Sequence, residues 1–241
     1  MRDLRSIADY YYINYYSRVH SCQSKSTLLS FHKRIERFYK SKDYFPSVIE
    51  LGSGQNAHKN FVKHLYNSYL ATDVREISDP SLSPLDTGVL PKMNCDIKSI
   101  ADATDLKYPD GSFDRVIAGG LLLHLPDPLK AVDEWLRVLK PGGHIDALIP
   151  NDQSFVISVY RTVFSRRKAR ELGFHEFDLV NALEHVTYYS RVVTLVGARY
   201  DTEEVRFDHF PPYWEKSRVF APIVYCGLLR LRRKNLRYSE F

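Results

Sequence analysis

The sequence predicts an α/β protein built on a mostly parallel sheet. Three observations carry that expectation. Short apolar runs that read as strands recur from residue 47 onward, and helical or loop stretches separate them. The first of these runs, SVIEL (47–51), ends in the glycine turn Gly52-Ser53-Gly54. A proline-started amphipathic stretch (127–139) sits between two further strand-like runs. Strands that alternate with helices imply right-handed crossovers and parallel pairing.

The elements follow in order. Residues 1–46 read as helical, with Leu28, Phe31, Ile35 and Phe38 at near-helical spacing, and Pro46 ends the pattern. Tyr10, Tyr11, Tyr12, Tyr15 and Tyr16 form a cluster without a clear period. After the 47–51 strand, 57–67 reads as a helix and YLATD (69–73) as the second strand. Residues 74–97, with three prolines and Gly88, read as a long loop. SIADA (99–103) and DRVIAG (114–119) are the third and fourth strands. Asp127-Pro128 supplies an N-cap and a first-turn proline. Val132, Trp135, Leu136 and Leu139 then fall on one face. Pro141-Gly142-Gly143 is expected to stop that helix before the strand HIDALIP (144–150). Residues 151–187 interrupt the alternation and carry Arg166, Arg167, Lys168 and Arg170. A helix at 188–197, a strand at 203–210 and a further apolar run at 223–232 complete the chain.

Composition narrows the function classes. The 241 residues carry net charge +5, are 44% hydrophobic and 26% charged, and so match an ordinary globular protein. No apolar run approaches the roughly 20 residues that span a bilayer, and the Tyr-rich start lacks a signal-peptide core. Cys22, Cys95 and Cys226 have neither metal-ligand nor disulfide spacing. No metal site is expected, and a reducing, cytoplasmic compartment is the simplest reading. An acidic body lies between two basic ends, which suits an anionic partner or a solvated surface. The C-terminal LLRLRRKNLR can be read as a membrane-surface helix, placing the protein at the inner face of the membrane, but the strand reading is preferred.

Chemistry concentrates at the glycine turn. A strand, a Gly-rich turn and a helix start form a cradle for an anionic or cofactor group. Asn56 replaces the third glycine of a dinucleotide fingerprint, and Asp73 follows at a strand end, suited to ribose hydroxyls. Further on come Asp102-Ala103-Thr104-Asp105-Leu106, Pro109-Asp110-Gly111-Ser112-Phe113-Asp114, Leu123-His124-Leu125 and Arg137-Val138-Leu139-Lys140-Pro141-Gly142-Gly143. In this order they resemble the class I S-adenosylmethionine-dependent methyltransferases, in particular the group called methyltransferase type 11, over about residues 47–150.

That resemblance implies a Rossmann-like seven-stranded methyltransferase fold, mostly parallel with an antiparallel last strand and helices on both faces. It implies S-adenosyl-L-methionine as cofactor. Glu50, Gly52, Ser53 and Gly54 would line its methionine part. Asp73 would accept from the ribose hydroxyls and Val74 would pack on the adenine. Asp102 would accept from the adenine amino group, with the Ala103 backbone beside the ring, and Gly119 would pass near the amino-acid end. The 74–97 loop, in place of the usual helix, departs from the family pattern around Val74.

On the acceptor side, residues 1–46 would form a lid and 47–241 the methyltransferase domain, with 151–187 as an insertion. His124, His185 and Glu184 are the candidates for proton handling, with His58 nearer the cofactor. His32, His175 and His209 have no assigned role. The expected acceptor is a small molecule, a nucleotide-sugar or a lipid-linked glycan, methylated at a hydroxyl. The basic run 166–170 would meet a phosphate. C-methylation of a quinone or lipid, and a catalytically silent cofactor-binding scaffold, stay open. A nicotinamide dehydrogenase is disfavoured by Asn56 and the Asp102 motif. Nucleic acid is not expected as acceptor, because Gly119-Gly120-Leu121-Leu122 stands where base-amino enzymes carry an aromatic-flanked proline motif.

Overall fold

The computed structural model describes residues 4–16, 19, 31–54, 58–74, 96–200, 205–210, 224 and 226–233. A seven-stranded sheet forms its centre. The strands are β1 (Ser47–Leu51), β2 (Ser68–Asp73), β3 (Asp96–Ile100), β4 (Phe113–Gly119), β5 (Leu139–Pro150), β6 (Val205–Phe210) and β7 (Cys226–Arg232). Their order is β3-β2-β1-β4-β5-β7-β6. Pairing is parallel from β3 through β5, and β7 is antiparallel to both of its neighbours.

The central strands are apolar runs because both faces are covered. Ile49 of β1, Val116 of β4 and Ile145 of β5 on one face, and Val48, Ile117 and Leu148 on the other, are all essentially inaccessible. α2 (Pro128–Val138) covers one face, following α1 (Leu4–Asn14) in chain order. The Asp127 side chain accepts from the Leu129 and Lys130 N–H groups, each at 3.1 Å, so the cap works as read from sequence. Trp135 is fully buried and donates through Nε1 to the Ala103 carbonyl at 2.9 Å, which fixes the chain after β3.

Three boundaries differ from the sequence reading. The expected helix at 57–67 is a single 3₁₀ turn, His58–Phe61. The residues after it pair with the N-terminal segment instead: Leu65 N–H donates to Asp43 and the Leu65 carbonyl accepts from Phe45. β3 lies three residues earlier than 99–103, because it is registered on β2 and the two end together at Asp73 and Ile100. Asp102 and Ala103 therefore sit in the turn beyond it. β5 begins at Leu139, so Pro141-Gly142-Gly143 is an irregularity inside the strand rather than a turn before it. A Cβ on Gly143 would approach the Asp114 carbonyl oxygen to 2.8 Å, so the strands meet there only over glycine. Leu28 and residues 75–95 of the predicted loop lie outside the described residues.

The stretch 151–187 is helical: α3 (Phe155–Tyr160), a π turn (Arg161–Ser165), α4 (Arg166–Glu171) and α5 (Phe177–Glu184), followed by α6 (Tyr189–Arg199). A small aromatic core joins it to the N terminus. Tyr11 of α1 meets Phe174 at 4.9 Å and Phe177 at 5.9 Å between ring centroids. The segment read as a membrane-surface helix is β7 as far as Arg232, with Leu228 and Leu229 fully buried. Among the described residues no helix is long and apolar enough to cross a membrane.

A buried ion network ties residues 36–39 to the sheet. Arg115, fully inaccessible, donates to Glu36 at 2.6 Å and to Asp146 at 2.9 Å. Asp146 also accepts from Tyr39 at 2.5 Å and from Arg230 at 3.0 Å. Two carboxylates thus face two guanidinium groups, and each charge is compensated.

Candidate active site

The strand order reverses direction between β1 and β4, and in such sheets ligands bind beyond the C-terminal ends of the strands at that point. The glycine turn after β1 lies there. Gly52 (φ +67°) and Gly54 (φ +52°) are in the left-handed region. A Cβ on Gly52 would stand 3.0 Å from Leu121 Cδ1. Ser53 N–H donates to the Thr72 carbonyl at 2.9 Å, and Gly54 N–H donates to Asp73 Oδ2 at 2.9 Å. The turn is therefore held over the end of β2. Ser53 Oγ is buried and has no hydrogen-bond partner among the described residues.

Glu50 is buried at the end of β1. Its carboxylate accepts the His58 backbone N–H at 2.8 and 3.0 Å and the Tyr69 hydroxyl at 2.7 Å. Burial and the Glu50 charge push the Tyr69 hydroxyl well above its ordinary range, which keeps it a donor. Glu50 thus anchors the 3₁₀ turn that follows the glycines. Val74 is 64% exposed beside Asp73, and Ile100 is 61% exposed at the end of β3. Asp102 Oδ1 accepts from the Thr104 N–H and hydroxyl, both at 2.8 Å, in an Asx turn that fixes the carboxylate's direction. Gly119, exposed at the end of β4, has nothing within 4 Å of a Cβ position.

Beyond β4 and β5 opens a cavity of about 520 Å³. Gly119, Gly120, Leu148 and Pro150 form its floor. Tyr11, Tyr12 and Tyr16 of the N-terminal segment, together with Phe31, Tyr160 and Phe177, form aromatic walls. One end is polar. His124 Nδ1 lies 3.8 Å from Glu184 Oε2, and the His124 and His185 rings meet edge-on with centroids 4.8 Å apart. His185 Nδ1 pairs with Asp152 Oδ2, and Asp152 Oδ1 accepts from Arg161 at 2.8 Å. Burial would raise the Asp152 carboxyl, but the His185 hydrogen bond and the neighbouring charges outweigh it and hold it below the usual range.

The structure therefore brings His124, Glu184 and His185 together, and adds Asp152 and Arg161. His32, unassigned from sequence, also lines the cavity. Its Nδ1 is 2.8 Å from His58 Nδ1, and His58 Nε2 is 2.8 Å from Glu36. Burial and His58 lower His32 to about 3, so it is neutral. The basic run lies elsewhere: Arg166 pairs with Asp178, and Arg167 and Lys168 pair with Glu171, while none of these nor Arg170 lines the cavity. Among the described residues no group of His, Cys, Asp and Glu could hold a metal ion.

Residues 49–146 match the family model described as a methyltransferase domain. Over that stretch the chain resembles the S-adenosylmethionine-dependent methyltransferases. The chain is 28% identical over 142 residues to a demethylmenaquinone methyltransferase of Desulfitobacterium hafniense, covering 56% of this chain and 46% of that protein. It is 49% identical over 117 residues to the 27-O-demethylrifamycin SV methyltransferase of Amycolatopsis mediterranei, covering 48% and 40%. The chain thus spans less than half the length of these curated relatives. The N-methyltransferase NodS of Bradyrhizobium japonicum, solved with S-adenosylhomocysteine, shares the fold: TM-score 0.57 at 16% identity, over 97% of this chain and all of that one.

The rim of the glycine turn fits S-adenosylmethionine. Ser53 has a buried hydroxyl with no hydrogen-bond partner among the described residues, a Cβ at Gly54 or Gly119 would meet nothing within 4 Å, and carboxylates stand at the end of β2 and beyond β3. Two exposed apolar side chains, Val74 and Ile100, flank those carboxylates. A cationic ligand with two hydroxyls, an exocyclic amine and an aromatic base needs that combination of acceptors and apolar surface.

Proposed function

We propose that the protein methylates a hydroxyl of an apolar, ring-containing small molecule seated in the cavity. S-adenosylmethionine supplies the methyl group from its sulfonium centre when bound. Asp73 accepts from the ribose hydroxyls, Asp102 accepts from the adenine amine, and Val74 packs on the base with the Ala103 backbone beside it. Gly52, Ser53, Gly54 and Gly119 line the amino-acid end, and Glu50 acts by holding the turn. Residues 1–46 serve as a lid whose tyrosines close the acceptor cavity.

The observation that carries this reading is His185 at the cavity wall, paired with Asp152, which also accepts from the cavity-lining Arg161. The carboxylate favours the Nδ1–H tautomer of His185, which leaves the lone pair on Nε2. Proton transfer to Nε2 would create an imidazolium that Asp152 stabilises, the logic of an acid–His pair. His124, adjacent to Glu184, orders the same polar end. Such a base contributes on the order of 10²–10⁴-fold to rate, and positioning against the floor glycines contributes the rest.

The aromatic walls favour an apolar acceptor over a sugar, and the basic run, which does not line the cavity, gives no support to a phosphate-bearing one. The same walls admit a quinol methylated at carbon, the reading that the demethylmenaquinone relative favours. Radiolabelled S-adenosylmethionine with a catechol, 1,4-naphthohydroquinone and a nucleotide-sugar separates these. The account expects label in the organic phase as an O-methyl ether. Label on carbon supports the quinol reading, and label only on the nucleotide-sugar overturns both.

A further inference from the structure

The helix from Phe155 to Glu171, which walls the cavity, is nearly bare on its other side. Ile157, Tyr160, Arg161 and Ser165 face the cavity. Phe155 is 68% exposed, and Val159, Val163 and Phe164 are each between two-fifths and one-half exposed. Residues 155–165 include no acidic side chain. Immediately after them come Arg166, Arg167, Lys168 and Arg170, four cations against the two carboxylates of Glu171 and Asp178. Val156 is both exposed and part of the cavity wall, so the mouth opens on this face.

A contiguous exposed apolar strip marks an interaction surface rather than ordinary solvent exposure. An apolar helix face with a cationic flank matches the boundary between acyl chains and acidic headgroups. We propose that this helix docks the protein on an anionic lipid bilayer, with Phe155, Val159, Val163 and Phe164 in the interface and the basic run against the headgroups. Membrane contact is thereby assigned to α3 and α4 and not to the stretch Cys226–Arg232, which is committed to β7. Docking places the cavity mouth at the bilayer, so an apolar acceptor can enter without crossing water. That last consequence rests on the methyltransferase reading, whereas the docking itself does not.

The test is co-sedimentation of the full chain with vesicles of phosphatidylcholine alone or with 30% phosphatidylglycerol (a composition of about one-third acidic lipid). Binding is expected to the acidic vesicles, weakening as salt rises. Val159→Glu/Phe164→Glu should reduce it at least tenfold. Arg167→Gln/Lys168→Gln should reduce it about fivefold or more at low salt. None of these residues touches the cofactor rim, so calorimetric titration with S-adenosylhomocysteine serves as the folding control and should be unchanged. No binding by the parent chain, or equal binding to both vesicle types, overturns the proposal. So does a dimer, seen by light scattering, that the Val159/Phe164 variant abolishes, since the face would then join two copies. Loss of homocysteine-product binding by the parent would count instead against the methyltransferase reading.

Discussion

Arg115→Met removes the centre of the buried ion network while retaining a side chain of similar reach. Two inaccessible carboxylates, Glu36 and Asp146, then lose a guanidinium at 2.6 and 2.9 Å. Deleting one partner of a buried pair costs about 3–5 kcal/mol. The lower end applies, because Glu36 keeps His58 and the Lys63 N–H, and Asp146 keeps Arg230 and Tyr39. The Glu36 carboxyl gives a second route to the magnitude. Burial raises it, but the His58 hydrogen bond and the Arg115 charge outweigh burial and hold it at about 2 instead of 4.5. That gap corresponds to about 3 kcal/mol at neutral pH, shared between His58 and Arg115. At roughly 2–4 °C per kcal/mol for a chain of this size, the variant should melt about 6–12 °C below the parent at pH 7. The folded-state value is depressed, so this stabilisation is present above pH 4.5 and lost as pH falls toward 2. Scanning calorimetry at pH 7 and at pH 3 should therefore show the difference between parent and variant narrowing in acid. A variant that melts with the parent at pH 7, or a difference that widens in acid, would refute the reasoning.

Three further outcomes follow from the rim and the cavity. Asp102→Ala should weaken S-adenosylmethionine binding more than Asp102→Asn, and a cofactor analogue with inosine in place of adenosine should bind the parent poorly; equal binding of that analogue removes Asp102 from the adenine site. Asp152→Asn should lower turnover by on the order of 100-fold with calorimetric cofactor affinity unchanged, and full turnover in that variant would remove the His185–Asp152 pair from the chemistry. Gly52→Ala should cost about 1–2 kcal/mol for the left-handed backbone, plus the 3.0 Å approach to Leu121, and so more than Gly54→Ala, whose Cβ meets nothing within 4 Å; chemical denaturation ranks the two.

Much of the sheet is legible in the sequence because buried parallel strands must be short apolar runs. β1, β2 and β4 fall within a residue of their predicted bounds for that reason. The helical spacing of Val62 and Tyr66 suits a helix at 57–67, yet both are buried from a segment that pairs with residues 43–46. β3 slipped because its end is set by the register with β2, and Ala101 and Ala103 look as strand-like as Ile97. The glycine turn, Asp73 and Asp102 each stand at or just past the end of a strand in the sequence, which is why pattern reading can single them out. The polar end of the cavity is only half local. His124 follows β4 and Glu184-His185 ends a helix, but Asp152 became meaningful only once the chain folded back. The ion network had one visible trace: Arg115 and Asp146 are charges inside apolar strands, which calls for partners without naming Glu36 or Arg230.

The central claim is that the turn after β1 and the ends of β2 and β3 hold S-adenosylmethionine. Isothermal titration of the full chain with this cofactor, for the parent and for Asp73→Ala, tests it most directly. The account predicts saturable binding at one site per chain. It also predicts at least a tenfold loss in a variant that stays folded, since charge-assisted hydrogen bonds to the ribose contribute roughly 1.5–3 kcal/mol. A folded parent that gives no binding, or an Asp73→Ala variant with the parent's affinity, would contradict it.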